Sequence, residues 1–161
     1  MRETIIALDL ATHTGWAEGV PGKPPVLGSI RFGSPGSSHE EAFAEAMTWI
    51  GERVLAFPPR LLVMEAPLPP SLMRGQTNAD TARKLMGLAA IIGGTAHKLG
   101  CWNIREASVA DVRHYFLGKR NIPSKDAKRA TLAKCRDMGL EPKNDNEADA
   151  AALFFYTCSK L

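Results

Sequence analysis

The chain has 161 residues, 45% of them apolar and 23% charged, with a formal net charge of +3. That size and balance fit one globular domain over residues 1–161, and they exclude a disordered chain. They also exclude a membrane span, because no apolar run approaches the roughly 20 residues that one needs. Cys101, Cys135 and Cys158 are scattered, odd in number and without a CxxC pair, which argues for reduced packing thiols over a disulfide frame or zinc site. With an N-terminus that shows no signal-peptide pattern, this predicts a cytoplasmic protein.

Taken in order, Ile5, Ile6 and Leu8 around Ala7 read as a strand buried on both faces, spanning residues 3–10 and ending in Asp9. The small, polar stretch around Thr14-Gly15 turns the chain into a second strand over about 14–20. Val26 to Phe32, after the turn Pro21 to Pro25, reads as a third. Ser38-His39-Glu40-Glu41 has the form of a capping box, and Phe43, Met47, Ile50 and Val54 follow at helical spacing until Pro58-Pro59. Leu61 to Met64 is again a buried strand, closed by Glu65, since the prolines beyond it cannot continue a ladder. Residues 67–76 read as a loop beside that strand end, from which Arg74 could reach a phosphate.

A helix is predicted over Asn78 to Leu99, its inner stripe formed by Leu85, Leu88, Ile92, Ala96 and Leu99. Its many glycines and alanines suit close packing, either as a deeply buried helix of a monomer or as a helix that serves both the core and a dimer interface. Cys101 to Ile104 reads as a fifth strand. Ser108 caps a short helix stopped by Gly118, Pro123-Ser124-Lys125 opens another that ends near Gly139, and a last helix starts at Asn144 or Asp145. Trp16, Trp49 and Trp102 read as core or partly buried residues. The order βββ-α-β-α-β-α-α-α predicts an α/β fold with a mixed sheet.

Three acidic places stand out from this scaffold. Asp9 and Glu65 each close a buried strand, and Asp149 falls in the first turns of the last helix. Asp145 lies four residues earlier, on the same helix face. If the first and fourth strands are neighbours, these carboxylates converge, and such a cluster repels itself unless cations occupy it. Carboxylates with retained waters suit magnesium, and two ions roughly 3.5–4 Å apart stabilise the attacking and leaving oxygens of phosphodiester hydrolysis. The charge distribution agrees. From Lys98 to Lys143 eleven Lys or Arg face five Asp or Glu, a local +6 that leaves −3 elsewhere, and the density peaks between Lys119 and Arg136. A basic segment beside an acidic cluster suits a protein that binds a polyanion and cleaves it.

With these features the chain resembles the RuvC-type Holliday junction resolvases of the RNase H-like superfamily, in the manner of a divergent phage or prophage member. The resemblance rests on Ala7-Leu8-Asp9 with Gly15 after it, Val63-Met64-Glu65, Val112-Arg113 followed by Leu117-Gly118-Lys119, Ser124-Lys125, and Glu147-Ala148-Asp149-Ala150. It implies an RNase H-like fold with a five-stranded mixed sheet flanked by helices. It also implies a homodimer, here through the 78–99 helix, and magnesium-dependent paired nicks in four-way or branched DNA that leave 5′-phosphate and 3′-hydroxyl ends, with manganese as a substitute. Asp9, Glu65 and Asp149 would then be the metal ligands, with Lys119 and Lys125 contacting junction DNA or the scissile phosphate. Arg120, Lys128 and Arg129 extend that basic surface.

Two departures from the family pattern bear on the site. Leu10-Ala11-Thr12 stands where relatives often carry proline and glycine. Asn146 stands where they commonly carry an acidic residue or histidine, three residues before the final aspartate. Asp145 is the better fourth ligand on chemistry, because a carboxylate holds magnesium more firmly than an amide does. Asn146 is the alternative, and geometry within one helical turn does not choose between them. A broader branched-DNA nuclease and an inactive nucleic-acid-binding module of the same fold are the competing readings. Sugar kinases and actin-like ATPases open with a similar strand and aspartate, but they need two such domains and further glycine-rich phosphate loops.

Overall fold

The structure is a computed structural model that describes residues 3–67 and 79–161. Its elements run β1 Ile5–Asp9, β2 His13–Gly19, β3 Val26–Arg31, α1 His39–Ala56, β4 Leu61–Glu65, α2 Ala79–Lys98, β5 Ile104–Ala107, α3 Val109–Leu117, α4 Ser124–Asp137 and α5 Asp145–Cys158. The sheet has the order β3-β2-β1-β4-β5, with β1, β2 and β3 antiparallel in succession and β1, β4 and β5 parallel. The fold is therefore α/β with a five-stranded mixed sheet, as the pattern of elements predicts.

Helices cover both faces of the sheet, and strand parity decides which residue meets which layer. Ile6, Leu8, Leu62 and Met64 point to the side packed by α1 and α2. Ile5, Ala7, Ala17, Leu61 and Val63 point to the other side, where α3, α4 and α5 pack. Asp9 and Glu65 continue the second series, so the alternation alone aims both carboxylates at the α5 layer.

Helix α5 lies unusually deep. Ala148, Ala150, Ala151 and Ala152 are all buried, and Phe154 has no exposed surface. The facing positions of β2 are equally small. A Cβ added to Gly15 would fall 1.9 Å from the Asn146 carbonyl oxygen, and one added to Gly19 would fall 3.3 Å from the Phe154 ring. Gly15, Ala17 and Gly19 thus form a period-two groove in which the helix rests.

Three sequence expectations need correction. Strand β5 begins at Ile104, not Cys101, because Gly100 takes a left-handed φ of 99° and Cys101 N–H still bonds the Ala96 carbonyl at 3.0 Å. Cys101 therefore closes the end of α2 and is buried there, and pairing starts only at Ile104 opposite Leu62. On α1, Ala42, Ala46, Ile50 and Val54 face the sheet, whereas Met47 is 48% exposed. Small alanines let the helix approach more closely than the longer methionine would. Trp102 is 77% exposed, unlike Trp16 and Trp49, which clasp the Arg53 guanidinium between their rings at 4.1 and 4.5 Å.

Candidate active site

The parallel register Leu8 to Met64 places Asp9 and Glu65 side by side at the carboxyl ends of the two central strands. That is the end of an open α/β sheet where ligands characteristically bind. Asp149, one turn into α5, closes the third side. All three line one cavity of about 690 Å³, together with residues of α3, α4 and the segment after β4.

Local sequence fixes the α5 side of this cavity. Asn144 is the N-cap, and its side-chain oxygen accepts the Glu147 N–H at 2.9 Å. Glu147 is itself buried, and its carboxylate accepts from Lys143 N–H at 2.8 Å and from Ser29 Oγ at 3.1 Å. The Asn144 amide donates to the same Ser29 Oγ at 3.0 Å. This network ties the start of α5 to β3 across the floor of the sheet, which holds Asp149 at a fixed height. At the other side Thr14, fully buried, bonds both the N–H and the carbonyl of Ala11 and shapes the turn that follows Asp9.

Burial and mutual repulsion set the electrostatics. Asp9 is held well above the usual carboxylate range, first by burial and then by Glu65 and Asp149. Burial, with Asp149 next, lifts Glu65 from 4.5 to about 7. Burial lifts Asp149 from 3.8 to about 6, an effect that the Lys128 charge opposes. Asp145 behaves oppositely. The ammonium of Lys128 bonds its carboxylate at 2.6 Å and holds it below its ordinary value.

A raised carboxylate stabilises the fold below its unfolded pKa and loses that contribution as pH rises through the folded value. For Glu65, moving from 4.5 to about 7 corresponds to roughly 3 kcal/mol lost above neutrality. In the absence of divalent ions, the melting temperature of wild type should therefore fall relative to Glu65→Gln by roughly 5–10 °C between pH 5 and pH 8. Magnesium should reverse that fall in wild type alone. Parallel pH profiles for the two proteins would show that the cluster carries no such repulsion.

Lys128 and Arg113 are the cations turned toward this acidic centre, and both bias Glu65 and Asp149 toward ionisation. Arg120 also lines the cavity, with its guanidinium on Asp111 at 2.6 Å. Lys119, Lys125 and Arg129 are exposed and lie outside the lining, on the loop before α4 and on other faces of that helix. Arg74 lies outside the described residues. Of the two candidates preceding Asp149, Asn146 lines the cavity, whereas Asp145 is paired with Lys128. Arg113 went unassigned at the sequence level, although it stands in the Val112-Arg113 pair that carries the resemblance.

The sequence matches no protein-family model and no curated protein. Solved structures do match. The Thermus thermophilus RuvC structure superposes with a TM-score of 0.70 at 17% identity, covering 95% of this chain and 92% of that one. The T. thermophilus RuvC in complex with a Holliday junction substrate gives 0.70 at 15% identity, covering 96% and 92%. The yeast mitochondrial Holliday junction resolvase, Ydc2, gives 0.57 at 10% identity, covering 96% of this chain and 78% of that one.

The chain has the RuvC fold. It carries that fold over nearly its whole length with little sequence in common, so the shared architecture rests on pattern and packing. Within this RuvC-like frame the donor set suits hard divalent cations. Among the described residues no three His, Cys, Asp or Glu side chains stand grouped so as to hold one metal ion between them. Magnesium, which keeps several waters and takes one or two carboxylates per ion, does not ask for such a group. Three carboxylates around one cavity, destabilised by their own proximity, match that requirement. No helix among the described residues is long and apolar enough to cross a membrane.

Proposed function

We propose that this protein is a divalent-metal-dependent endonuclease that cuts four-way DNA junctions in pairs, leaving 5′-phosphate and 3′-hydroxyl ends. The observation that carries the reading is the convergence of Asp9, Glu65 and Asp149 on one cavity whose other charged walls are Arg113, Arg120 and Lys128. Acidic groups alone would repel a phosphodiester, and basic groups alone would bind it without cutting. Together they provide for cation binding and for phosphate capture in one place.

Asp9, Glu65 and Asp149 would hold the metal, either magnesium or manganese. When bound, a pair of such ions supplies Lewis-acid stabilisation of the attacking and leaving oxygens. The chain's own contribution is placement. The β1–β4 pair fixes two carboxylates, the Asn144–Glu147–Ser29 network fixes the third, and Arg113 faces the strand-end carboxylates from α3. The exposed Lys119, Lys125 and Arg129 extend the positive surface beyond the cavity for the DNA arms. A homodimer through the outward face of α2, where Met86 is 51% exposed and no described residue packs over Gly94, would supply two sites for paired incision.

The deciding experiment incubates the protein with a synthetic four-way junction, a matched duplex and a single strand, with and without magnesium. Magnesium-dependent symmetric nicks in the junction alone support the proposal. Equal cutting of flaps and forks would redirect it to a broader branched-DNA nuclease. Binding without cutting at any metal concentration would leave a nucleic-acid-binding module. The basic surface makes a separate prediction. Replacing Lys119, Lys125 and Arg129 together by alanine should lower the slope of log affinity against log salt by roughly 2–3, since each lost phosphate contact removes about 0.9. An unchanged slope in a filter-binding titration would return these residues to a solvated face.

A further inference from the structure

The cations that line the cavity come from α3, the loop after it and α4. Helix α3 follows β5 directly, at the edge of the sheet farthest from β3. A DNA strand laid across Asp9 from that side has to leave over the ends of β2 and β3. The strand registers say what it meets there. Asp9 pairs with Gly15 and Gly15 with Ser29, which makes one row across three strands. His13 and Arg31 are cross-strand partners in the next row outward. Two residues further along a strand the side chain returns to the same face, so both belong to the face that carries Asp9 and α5. Ser29 marks that face by its bonds to Glu147 and Asn144 at the start of α5. The His13 backbone thus lies roughly 7 Å along the sheet and roughly 5 Å across from that of Asp9.

We infer that Arg31 and His13 bind a phosphate of the DNA strand being cut, on the far side of the carboxylates from α3 and α4. They would then be positioning residues that hold the strand across the site. The inference rests on the nuclease reading above and names the path of that substrate. Arg31 is prepared for the role. Its Nε donates to the Gly33 carbonyl at 3.1 Å, which fixes the plane of the guanidinium. Gly33 is held in turn, because its N–H donates to the Glu45 carboxylate at 2.6 Å. Arg53, Arg120 and Lys128 each have a carboxylate partner, whereas Arg31 has none among the described residues. Glu147, the acid on this face, is turned to Ser29 Oγ and to the Lys143 N–H. The half-buried guanidinium therefore keeps its charge and its outer N–H donors for a ligand. His13 is exposed beside it, and an imidazole donates one N–H even when neutral. A planar guanidinium fork matches a phosphate better than any other side chain does.

The test locates the phosphate. Four-way junctions carry a single neutral methylphosphonate, moved one position at a time across the point of strand exchange. Affinity for each is measured in an Asp9→Asn background, where the strands stay whole. One position should weaken binding roughly tenfold when Arg31 is present and not at all in Arg31→Gln. Arg31→Gln should also lower the slope of log affinity against log salt by about 1, and Arg31→Lys should keep it. His13→Ala should lower affinity for the unmodified junction about threefold and reduce the penalty at the same position. Because His13 is exposed, that variant keeps the test open even if Arg31→Gln loosens the Gly33 turn. Glu45→Gln loosens the same turn from its other end and should leave both scan and slope unchanged. The inference is overturned if Glu45→Gln reproduces Arg31→Gln, or if Arg31→Gln or His13→Ala keeps the scan and affinity of the parent. Cutting of the unmodified junction by Asp9→Asn at the wild-type rate would instead end the nuclease assignment of the cavity, a result read from the strands and not from the scan.

Discussion

Replacing Asp9 by asparagine should reduce junction nicking by about a thousandfold or more while junction affinity stays within a few-fold of wild type. The asymmetry follows from where the residue sits. Asp9 is 9% exposed at the end of the central strand, so DNA reaches it only through the cavity and gains little binding energy from it. Affinity comes mainly from basic side chains and backbone phosphates. Its carboxylate is also pressed to neutralise, by burial and then by Glu65 and Asp149. The amide removes that stress, so the variant should be at least as stable as wild type in metal-free buffer near pH 8. Glu65→Gln and Asp149→Asn should behave alike. Cleavage at the wild-type rate by any of the three would sink the assignment of the site, and a parallel loss of binding would mean that the substitution had disturbed the fold.

The fold was largely legible because its elements obey simple periodicities. Strands β1 and β4 announce themselves as short apolar runs ended by a carboxylate, and the parity of such a run already tells which face its last residue takes. The convergence of Asp9 with Glu65 needed only the adjacency of β1 and β4. Less legible was what depends on contact between distant segments. Nothing local marks Glu147 as buried, since its partners Ser29 and Lys143 come from β3 and from the turn before α5. The choice between Asp145 and Asn146 could not be read from helical spacing, because both lie within a turn of Asp149. What distinguishes them lies on another helix: Lys128, seventeen residues upstream, takes the Asp145 carboxylate, while Asn146 lines the cavity. For the same reason the basic segment between Lys119 and Arg136 was visible as charge, while which of its residues line the cavity, Arg120 and Lys128, was not. Helix α4 has to be docked before its faces acquire meaning. The β5 boundary slipped because Arg105 and Glu106 look unlike a buried strand, and as an edge strand β5 leaves them exposed.

The second large effect is expected at a residue that touches no substrate. Gly15 lies on β2 directly opposite Asp9, on the face that carries α5. A methyl group there would sit 1.9 Å from the Asn146 carbonyl oxygen and 2.3 Å from its carbonyl carbon. Both are backbone atoms, so no rotamer change relieves the clash, and either β2 or the start of α5 must move. The helix start is tied to Ser29 through Asn144 and Glu147, so a displacement there would strain or break that network as well. Asp149 is carried on the same turn, and a shift of about 1 Å at a reacting centre is enough to cost roughly a hundredfold in rate. We therefore expect Gly15→Ala to lose about 1–3 kcal/mol of stability and roughly a hundredfold in cleavage. Gly28→Ala is the control. Its added methyl would fall 2.2 Å from the Trp16 ring, a side chain of the opposite layer, so it should cost comparable stability and leave nicking by the folded protein nearly unchanged. Denaturant melts and single-turnover cleavage at 25 °C on the two variants decide the matter. Equal activity for equal stability loss would show that Gly15 serves packing alone, and a selective collapse of cleavage in Gly15→Ala would show that the depth of α5 in its β2 groove sets the position of Asp149.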